Sequence, residues 1–211
     1  DIKVLRTISV GILMISFWVM DFLPLAVVAL FPLVLFPLME IESLDNTARH
    51  YADPIIFLFM GGFFLALAIE KWNLHQRIAL NILRLTGSNG NRIILGFMLS
   101  TFCISMWISN TATTMMMFPI ALSVLNLVRK TNSGTNTDAF AVSILLTIAY
   151  ASNIGGLATI IGTPPNIAYV SHIQNQFHHQ IGFLEWMMVC TPLSIALMIS
   201  MYFVLVKWLY P

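Results

Sequence analysis

The amino-acid sequence predicts an all-α polytopic membrane protein, and three observations carry that assignment. First, 58% of its 211 residues are hydrophobic and only 9% are charged, against about 25% charged in soluble domains. Second, mean hydropathy is +0.86, and thirteen Met and fifteen Phe give more apolar surface than one globular core of this length buries. Third, the apolar residues come in runs approaching the roughly 20 residues a helix needs to cross about 30 Å of hydrocarbon. A water-soluble fold is excluded, and the lipid bilayer is the expected solvent. The formal net charge of +1 gives no reason to expect nucleic acid as a partner. Cys103 and Cys190 lie in apolar runs with neither disulfide nor metal-ligand spacing.

The apolar runs cover residues 4–20, 22–39, 55–69, 93–108, 113–128, 140–170 and 186–209. The first begins straight after Asp1 with no cleavable-signal pattern, so the first residues are expected to be truncated. Asp21 reads as a polar residue at a helix end. Pro24, Pro32 and Pro37 fall in the second run, where neighbouring membrane helices can satisfy the carbonyls that a proline frees, and a kinked helix is expected. Gly61 and Gly62 in the third run suit close helix packing. Between Lys71 and Arg92 the pattern turns amphipathic. Trp72, Ile78, Ile82 and Leu85 share one face while His75, Gln76, Arg77, Asn81 and Arg84 favour the other, as in a helix lying in the interface. The run Met115-Met-Met117 reads as bundle core. Residues 129–138 lack periodicity and read as a solvent loop. A second polar loop holds His172, His178 and His179, which read as solvated because no carboxylate or Cys shares the loop.

Six of the ten Lys and Arg residues fall in two neighbouring segments, Lys71, Arg77, Arg84 and Arg92, then Arg129 and Lys130. The positive-inside rule places both in the cytoplasm. The 93–128 region between them must then enter the membrane and return, as a hairpin. Each apolar arm has sixteen residues, roughly 24 Å of helix, so the tip need not reach the far surface and is expected to be re-entrant. Counting outward places the acidic 40–53 segment (Glu40, Glu42, Asp45 and Asp53, with Arg49) and the His-containing loop outside, and Lys207 inside. Lys3 and Arg6 dissent from this orientation.

The hairpin tip reads Ser105-Met-Trp-Ile-Ser109-Asn110-Thr111-Ala-Thr113-Thr114. These polar residues can turn the chain and cap a helix starting near Ala112. The same geometry aims the N–H groups of a half-helix at an anion, while carbonyls ending the preceding half-helix face a cation. The second cluster, Ala151-Ser-Asn153-Ile-Gly155-Gly156-Leu-Ala-Thr159-Ile-Ile-Gly162-Thr163-Pro164-Pro165-Asn166, lies in an apolar run too long for one span. Gly162 can supply an unusual backbone conformation, Thr163 can cap, and Pro164 suits the first turn of a new helix. Two half-helices joined by an unwound segment are expected, with a plain proline kink as the alternative. Unwound backbone at membrane depth is tolerated only where it is buried in protein or lines a cavity. Together the clusters present hydroxyls, amides and free carbonyls but no carboxylate. Hard alkali cations take oxygen ligands, and sodium fits this set by extension. An anion held beside the cation would offset its desolvation, and the reverse.

At these residues the sequence resembles the divalent-anion:sodium symporters, the carriers of di- and tricarboxylates and sulfate. The resemblance rests on the 105–114 segment and on Ile161-Gly-Thr-Pro-Pro-Asn166. It extends through Phe57-Leu-Phe-Met-Gly-Gly-Phe-Phe-Leu-Ala-Leu-Ala-Ile-Glu-Lys-Trp72 and Leu23-Pro-Leu-Ala-Val-Val-Ala-Leu30. It implies an elevator carrier in a homodimer, built from two inverted repeats that each hold a re-entrant hairpin and a broken helix. It also implies sodium bound by the side chains of Ser105, Ser109 and Asn110 and the carbonyl of Gly162, with the anionic substrate met by Asn110 and Thr111 near Thr163 and Pro164. The expected organisation is then scaffold helices and an outer loop in 1–53, a transmembrane helix plus interfacial arm helix in 54–92, and the re-entrant hairpin in 93–128. A broken transmembrane helix comes next in 139–175 and a last transmembrane helix in 184–210. The family carries each motif twice and this chain carries each once. We expect a chain lacking the second inverted repeat, because the alternative, half-length chains pairing in opposite orientations, would want a weak charge bias.

The function expected is sodium-coupled symport of a divalent anion across a plasma or bacterial inner membrane, with sodium as coupling ion and no other cofactor. A passive anion channel or exchanger, or a non-transporting half-carrier fragment, is the alternative. No enzyme is expected, since a nucleophile with its base, or a metal constellation, at one membrane depth is needed and no His or paired carboxylate lies in any span. Cysteines introduced at positions 84 and 129 should label from the cytoplasm, and those at 42 and 178 from outside. Labelling of 84 and 129 from opposite sides would remove the hairpin.

Overall fold

The computed structural model describes residues 2–52, 54–87, 89–131 and 137–209. Asp53 and residues 132–136 of the expected loop lie outside the described residues. Among the described residues there are helices and no strands: α1 (Ile2–Val19), α2 (Leu25–Val28), α3 (Phe31–Leu38), α4 (Leu44–Tyr51), α5 (Pro54–Lys71), α6 (Leu74–Thr86), α7 (Gly90–Ser105), α8 (Asn110–Thr131), α9 (Thr137–Ala158), α10 (Pro164–Phe177) and α11 (Phe183–Phe203), the last continuing as a π-helical turn over Val204–Leu209. Among the described residues four stretches are long and apolar enough to span a bilayer, Ile2–Val19, Asn110–Arg129, Asp138–Ala158 and Phe183–Lys207, and Leu25–Leu38 and Gly90–Ser105 are shorter apolar helical stretches. The chain divides into two compact units, residues 1–58 and 59–211.

In the first unit the helix ends are closed by local hydrogen bonds. Asp21 takes the left-handed conformation after α1, with φ 49°, and the Phe22 N–H donates to the Phe17 carbonyl at 3.3 Å, as in a helix C-terminal cap. The expected single kinked helix over 22–39 is instead two helices, interrupted at Ala29 and Leu30. Pro32 sits in the first turn of α3, where no intrahelical bond needs its missing N–H. The Leu33 N–H turns to Leu30, 3.1 Å away, and the Ala29 carbonyl is taken by the Tyr51 hydroxyl at 2.6 Å. α3 ends on Glu40, φ 53°, with the Ile41 N–H on the Phe36 carbonyl at 2.9 Å and the Glu40 N–H on the Pro37 carbonyl at 3.1 Å. That pairing is a Schellman motif. The Arg6 guanidinium donates to the Met39 carbonyl at 2.6 Å and lies 3.5 Å from the Glu40 carboxylate. Its charge, which dissented from the charge-based orientation, is thus matched by a carboxylate and by the carbonyl end of a helix.

The second unit packs around α7, α8 and α9. On α8 the buried positions Thr113, Met117, Ala121 and Leu125 recur every four residues. The last three join Ile94, Phe97, Ile144 and Ile148 in one apolar cluster. α7 and α9 touch through backbone, since a Cβ on Gly155 would lie 2.6 Å from the Phe102 carbonyl oxygen. This is the close approach that small residues permit between membrane helices. α11 adds Met198 to a second cluster with Met98, Phe102 and Ala151.

The interfacial segment is helical as α6, with Trp72 and Leu85 73% and 87% exposed and His75 and Ala79 buried. The buried side faces α7. The Ser100 hydroxyl reaches the Ala79 carbonyl at 3.5 Å, and a Cβ on Gly96 would lie 2.5 Å from Thr86 Oγ1. Small residues bring the two helices together there. One expectation is corrected here: among the described residues the Gly61–Gly62 pair makes no tight packing, because a Cβ on Gly61 would meet nothing within 4 Å and one on Gly62 would first meet Ile161 at 3.9 Å. After α10 the exposed His179 Nε2 lies 3.6 Å from Oε1 of the exposed Glu185 in α11.

Gly96→Ala should loosen α6 from α7. Thr86 is β-branched and stiff at χ1, so the overpacking should cost about 1–3 kcal/mol and lower the melting temperature of the purified protein. An unchanged melting temperature would mean that α6 is not seated on α7.

Candidate functional site

The hairpin tip is a four-residue connection, 106–109, between α7 and α8. The Trp107 and Ile108 N–H groups both fold back onto the Ile104 carbonyl, at 3.0 and 3.1 Å, so the chain turns tightly at the end of α7. Ser109 starts the next helix, with its hydroxyl accepting from the Ala112 N–H at 3.3 Å and its carbonyl from the Thr113 N–H at 2.9 Å. It is the N-cap that these residue types favour, and α8 begins at Asn110, two residues before the expected position.

The second interruption lies between α9 and α10, over residues 159–163. Ending a helix here frees carbonyls at the end of α9, and the buried Asn166 amide closes two of them, donating to the Gly156 and Thr159 carbonyls at 2.8 Å each. A carboxamide has two N–H protons, and both are used. Gly162 folds tightly onto α9, since a Cβ there would lie 2.5 Å from the Gly156 carbonyl oxygen. Thr163 holds the N-cap position with extended backbone but makes no side-chain capping bond, so it does not cap as expected, while Pro164 occupies the first turn of α10.

The two interruptions meet. Ser105 Oγ lies 2.6 Å from the Ser152 carbonyl and 3.0 Å from Asn110 Oδ1. Asn110 Nδ2 donates to Asn153 Oδ1 at 3.1 Å, and Asn153 Nδ2 to the Ala149 carbonyl at 2.8 Å. The Thr159 hydroxyl reaches the Met106 carbonyl at 2.5 Å, and the Thr114 hydroxyl bridges to Ser152 Oγ at 2.9 Å. A Cβ on Gly156 would run into the Asn110 carboxamide, so glycine there is what admits that side chain.

The amide orientations are fixed by this network. The Ala149 carbonyl can only accept, so Asn153 presents its Nδ2 to it and its Oδ1 to Asn110. Asn110 must then donate through Nδ2, which turns its own Oδ1 toward Ser105. Ser105 has one proton and two acceptors within reach. Whichever it satisfies, oxygen lone pairs remain facing one another in a site where Ser105 is fully buried. Every side chain in the network is neutral. An excess of neutral oxygens over protons is what an alkali cation can resolve.

The sequence-derived residues are thus partly assembled. Ser105 and Asn110 are in contact, Gly162 is joined to them through Gly156, and Ser109 stands at the turn as a cap. Thr111 and Pro164 are exposed and Thr163 is half-buried. Among the described residues no hydrogen bond ties the Thr111 or Thr163 side chain to the network. Thr114, Ser152, Asn153, Thr159 and Asn166 are members that the sequence alone gave no role. Their signal was their place within about two turns of an interruption, but not which oxygen each would meet.

A family model described as a citrate transporter matches residues 13–211. The chain belongs to the citrate transporter family. The resemblance to divalent-anion:sodium symporters read from its motifs is borne out. A sodium-dependent dicarboxylate transporter, SdcS, of Staphylococcus aureus strain NCTC 8325 / PS 47 is 39% identical over 212 residues, covering 99% of this chain and 40% of that protein. Its counterpart in the bovine strain RF122 / ET3-1 is 41% identical over 199 residues, covering 92% of this chain and 37% of that protein. The chain therefore spans about 40% of the length of such relatives. With four helices of membrane length, this family member is a multi-pass integral protein of the cell membrane.

Asn166→Asp tests the closure of the second interruption. An aspartate has the same shape but no N–H, so the two carbonyls lose their donors and a buried charge is added, at about 1–3 kcal/mol or more. The variant should melt lower near pH 7. Stability should recover in part as pH falls, because a protonated carboxyl regains one O–H to donate to a carbonyl. Equal melting temperatures of wild type and variant across that range would remove the role.

Proposed function

We propose that the protein works as part of a sodium-coupled symporter of divalent anions, with dicarboxylates as the first candidate substrates. The observation that carries this reading is the neutral, oxygen-rich junction between two helix interruptions, made by buried Ser105 and Ser152, half-buried Asn110 and the Gly156–Gly162 contact. The names of the relatives supply the substrate class and the ion. In the proposed mechanism sodium enters the junction first, taking the hydroxyls of Ser105 and Ser109, Asn110 Oδ1 and the Gly162 carbonyl. Its charge then favours an anion against Asn110 and Thr111 at the start of α8 and Thr163 and Pro164 at the start of α10, where helix N-termini present unpaired N–H groups.

Transport is proposed for the full-length protein, with a homodimer and an elevator motion of the two hairpin-bearing halves inferred from the family resemblance. One hairpin and one broken helix wall only half of such a substrate site. The enclosing half would come from an inverted second repeat.

Proteoliposomes of the full-length protein test this, by following radiolabelled dicarboxylate, citrate or sulfate under an inward sodium gradient. Saturable uptake that collapses without the gradient is expected. Asn110→Ala should abolish sodium-dependent uptake and weaken sodium and substrate together, because its amide touches both ions. Thr111→Ala should raise KM for the anion at least several-fold more than it shifts the sodium dependence. Normal uptake with unchanged sodium dependence in Asn110→Ala would sink the assignment.

A further inference from the structure

The second unit carries a groove of about 430 Å³ that the ion-site reading does not use. One end is formed by Gly62 of α5, Trp107 of the hairpin tip and Ile161 of the second interruption, and the other by Ile69, Trp72 and Arg77. We propose that it binds one membrane phospholipid with an anionic headgroup, acyl chain toward Trp107 and headgroup at Arg77.

The shape sets the orientation. From Gly62 to Ile69 the groove runs along α5 for roughly 10 Å at the helical rise, and past Trp72 the chain turns into α6 and presents Arg77. The volume lies within the range of about 300–1,000 Å³ common to small-ligand pockets. Its wall is almost wholly apolar, so a free water-soluble anion would lose hydration over most of its surface with one guanidinium in return. An amphiphile loses nothing along the wall and places its charge where the charge is.

Arg77 is free to take that charge. Among the described residues it forms no ion pair. The charge-based orientation puts Arg77 at the cytoplasmic leaflet, where anionic lipids concentrate and where basic pockets between helices recognise their headgroups. Trp72, at the headgroup end, supplies an indole ring of the kind that anchors at the boundary between chain and headgroup. The occupant would press on both interruptions at once, because Trp107 lies between Ser105 and Asn110 in the chain, and Ile161 between Thr159 and Gly162.

The test uses the full-length protein in nanodiscs of phosphatidylcholine and phosphatidylglycerol. Lipids retained after extraction are counted by native mass spectrometry, and tryptophan emission is read with bromine on the glycerol-lipid acyl chains. One guanidinium near the headgroup should give about a five-fold preference for phosphatidylglycerol. That preference should fall to none in Arg77→Gln and persist in Arg77→Lys, whose folding also controls for the loss. Brominated phosphatidylglycerol should quench an emission component that disappears in Trp107→Phe. Equal retention of both lipids by wild type and Arg77→Gln overturns the proposal. So does a Trp107 emission untouched by brominated chains, which would mean that another part of the protein covers the groove.

Discussion

Every backbone N–H and C=O at membrane depth needs a partner inside the protein, and the rest of this structure depends on how that demand is met at two places where helices stop. At 106–109 the chain meets it by turning within one helical turn and letting Ser109 cap α8. At 159–163 it cannot, because α10 sets off anew rather than returning. There a side chain from beyond the break, Asn166, reaches back to the Gly156 and Thr159 carbonyls. The break is stable because the residue that closes it sits in the first turn of the helix it creates.

The two closures share atoms, which ties them into one object. Gly156 accepts from Asn166 through its carbonyl, leaves room for Asn110 where a Cβ would stand, and lies under Gly162. Thr159 accepts from Asn166 and donates to Met106 in the hairpin tip. Displacing either interruption therefore strains the other. Apolar packing along α7, α8 and α9 positions these helices, but it does not distinguish one register from the next as sharply as buried amides with a fixed count of donors.

Much of the fold was legible in the sequence, because membrane helices announce themselves by length and their ends by Pro, Gly and Ser/Thr/Asn. The tip at 105–110 and the break before Pro164 were readable for that reason. What was not readable needed tertiary register. That α6 packs on α7 through Gly96, Ser100 and Thr86 could not be read from its amphipathic pattern, which registers lipid and water but not a neighbouring helix. Thr163 stands at a capping position without capping because extended backbone alone does not aim its hydroxyl. Asn166 and Asn153 were visible as polar residues in an apolar run, yet their partners lie ten residues up the chain in one case and across the hairpin in the other.

Neutrality of the junction has a consequence for the proposed carrier. A carboxylate ligand would let a cation bind and cross alone, since the site itself would compensate the charge. Ser105, Ser109, Asn110 and the Gly162 carbonyl carry no net charge, so a cation among them is only partly offset by dipoles, and moving it through a low-dielectric interior stays expensive. An anion at the neighbouring helix starts removes that penalty and gains a partner in return. Loaded together, sodium and a divalent anion present a smaller net charge to the membrane than the anion does alone, and each binds better for the other's presence. Coupling then needs no separate gate that senses both ligands. In the proposed carrier it would arise from an oxygen-rich site whose described side chains carry no charge, beside the helix starts proposed to hold the anion.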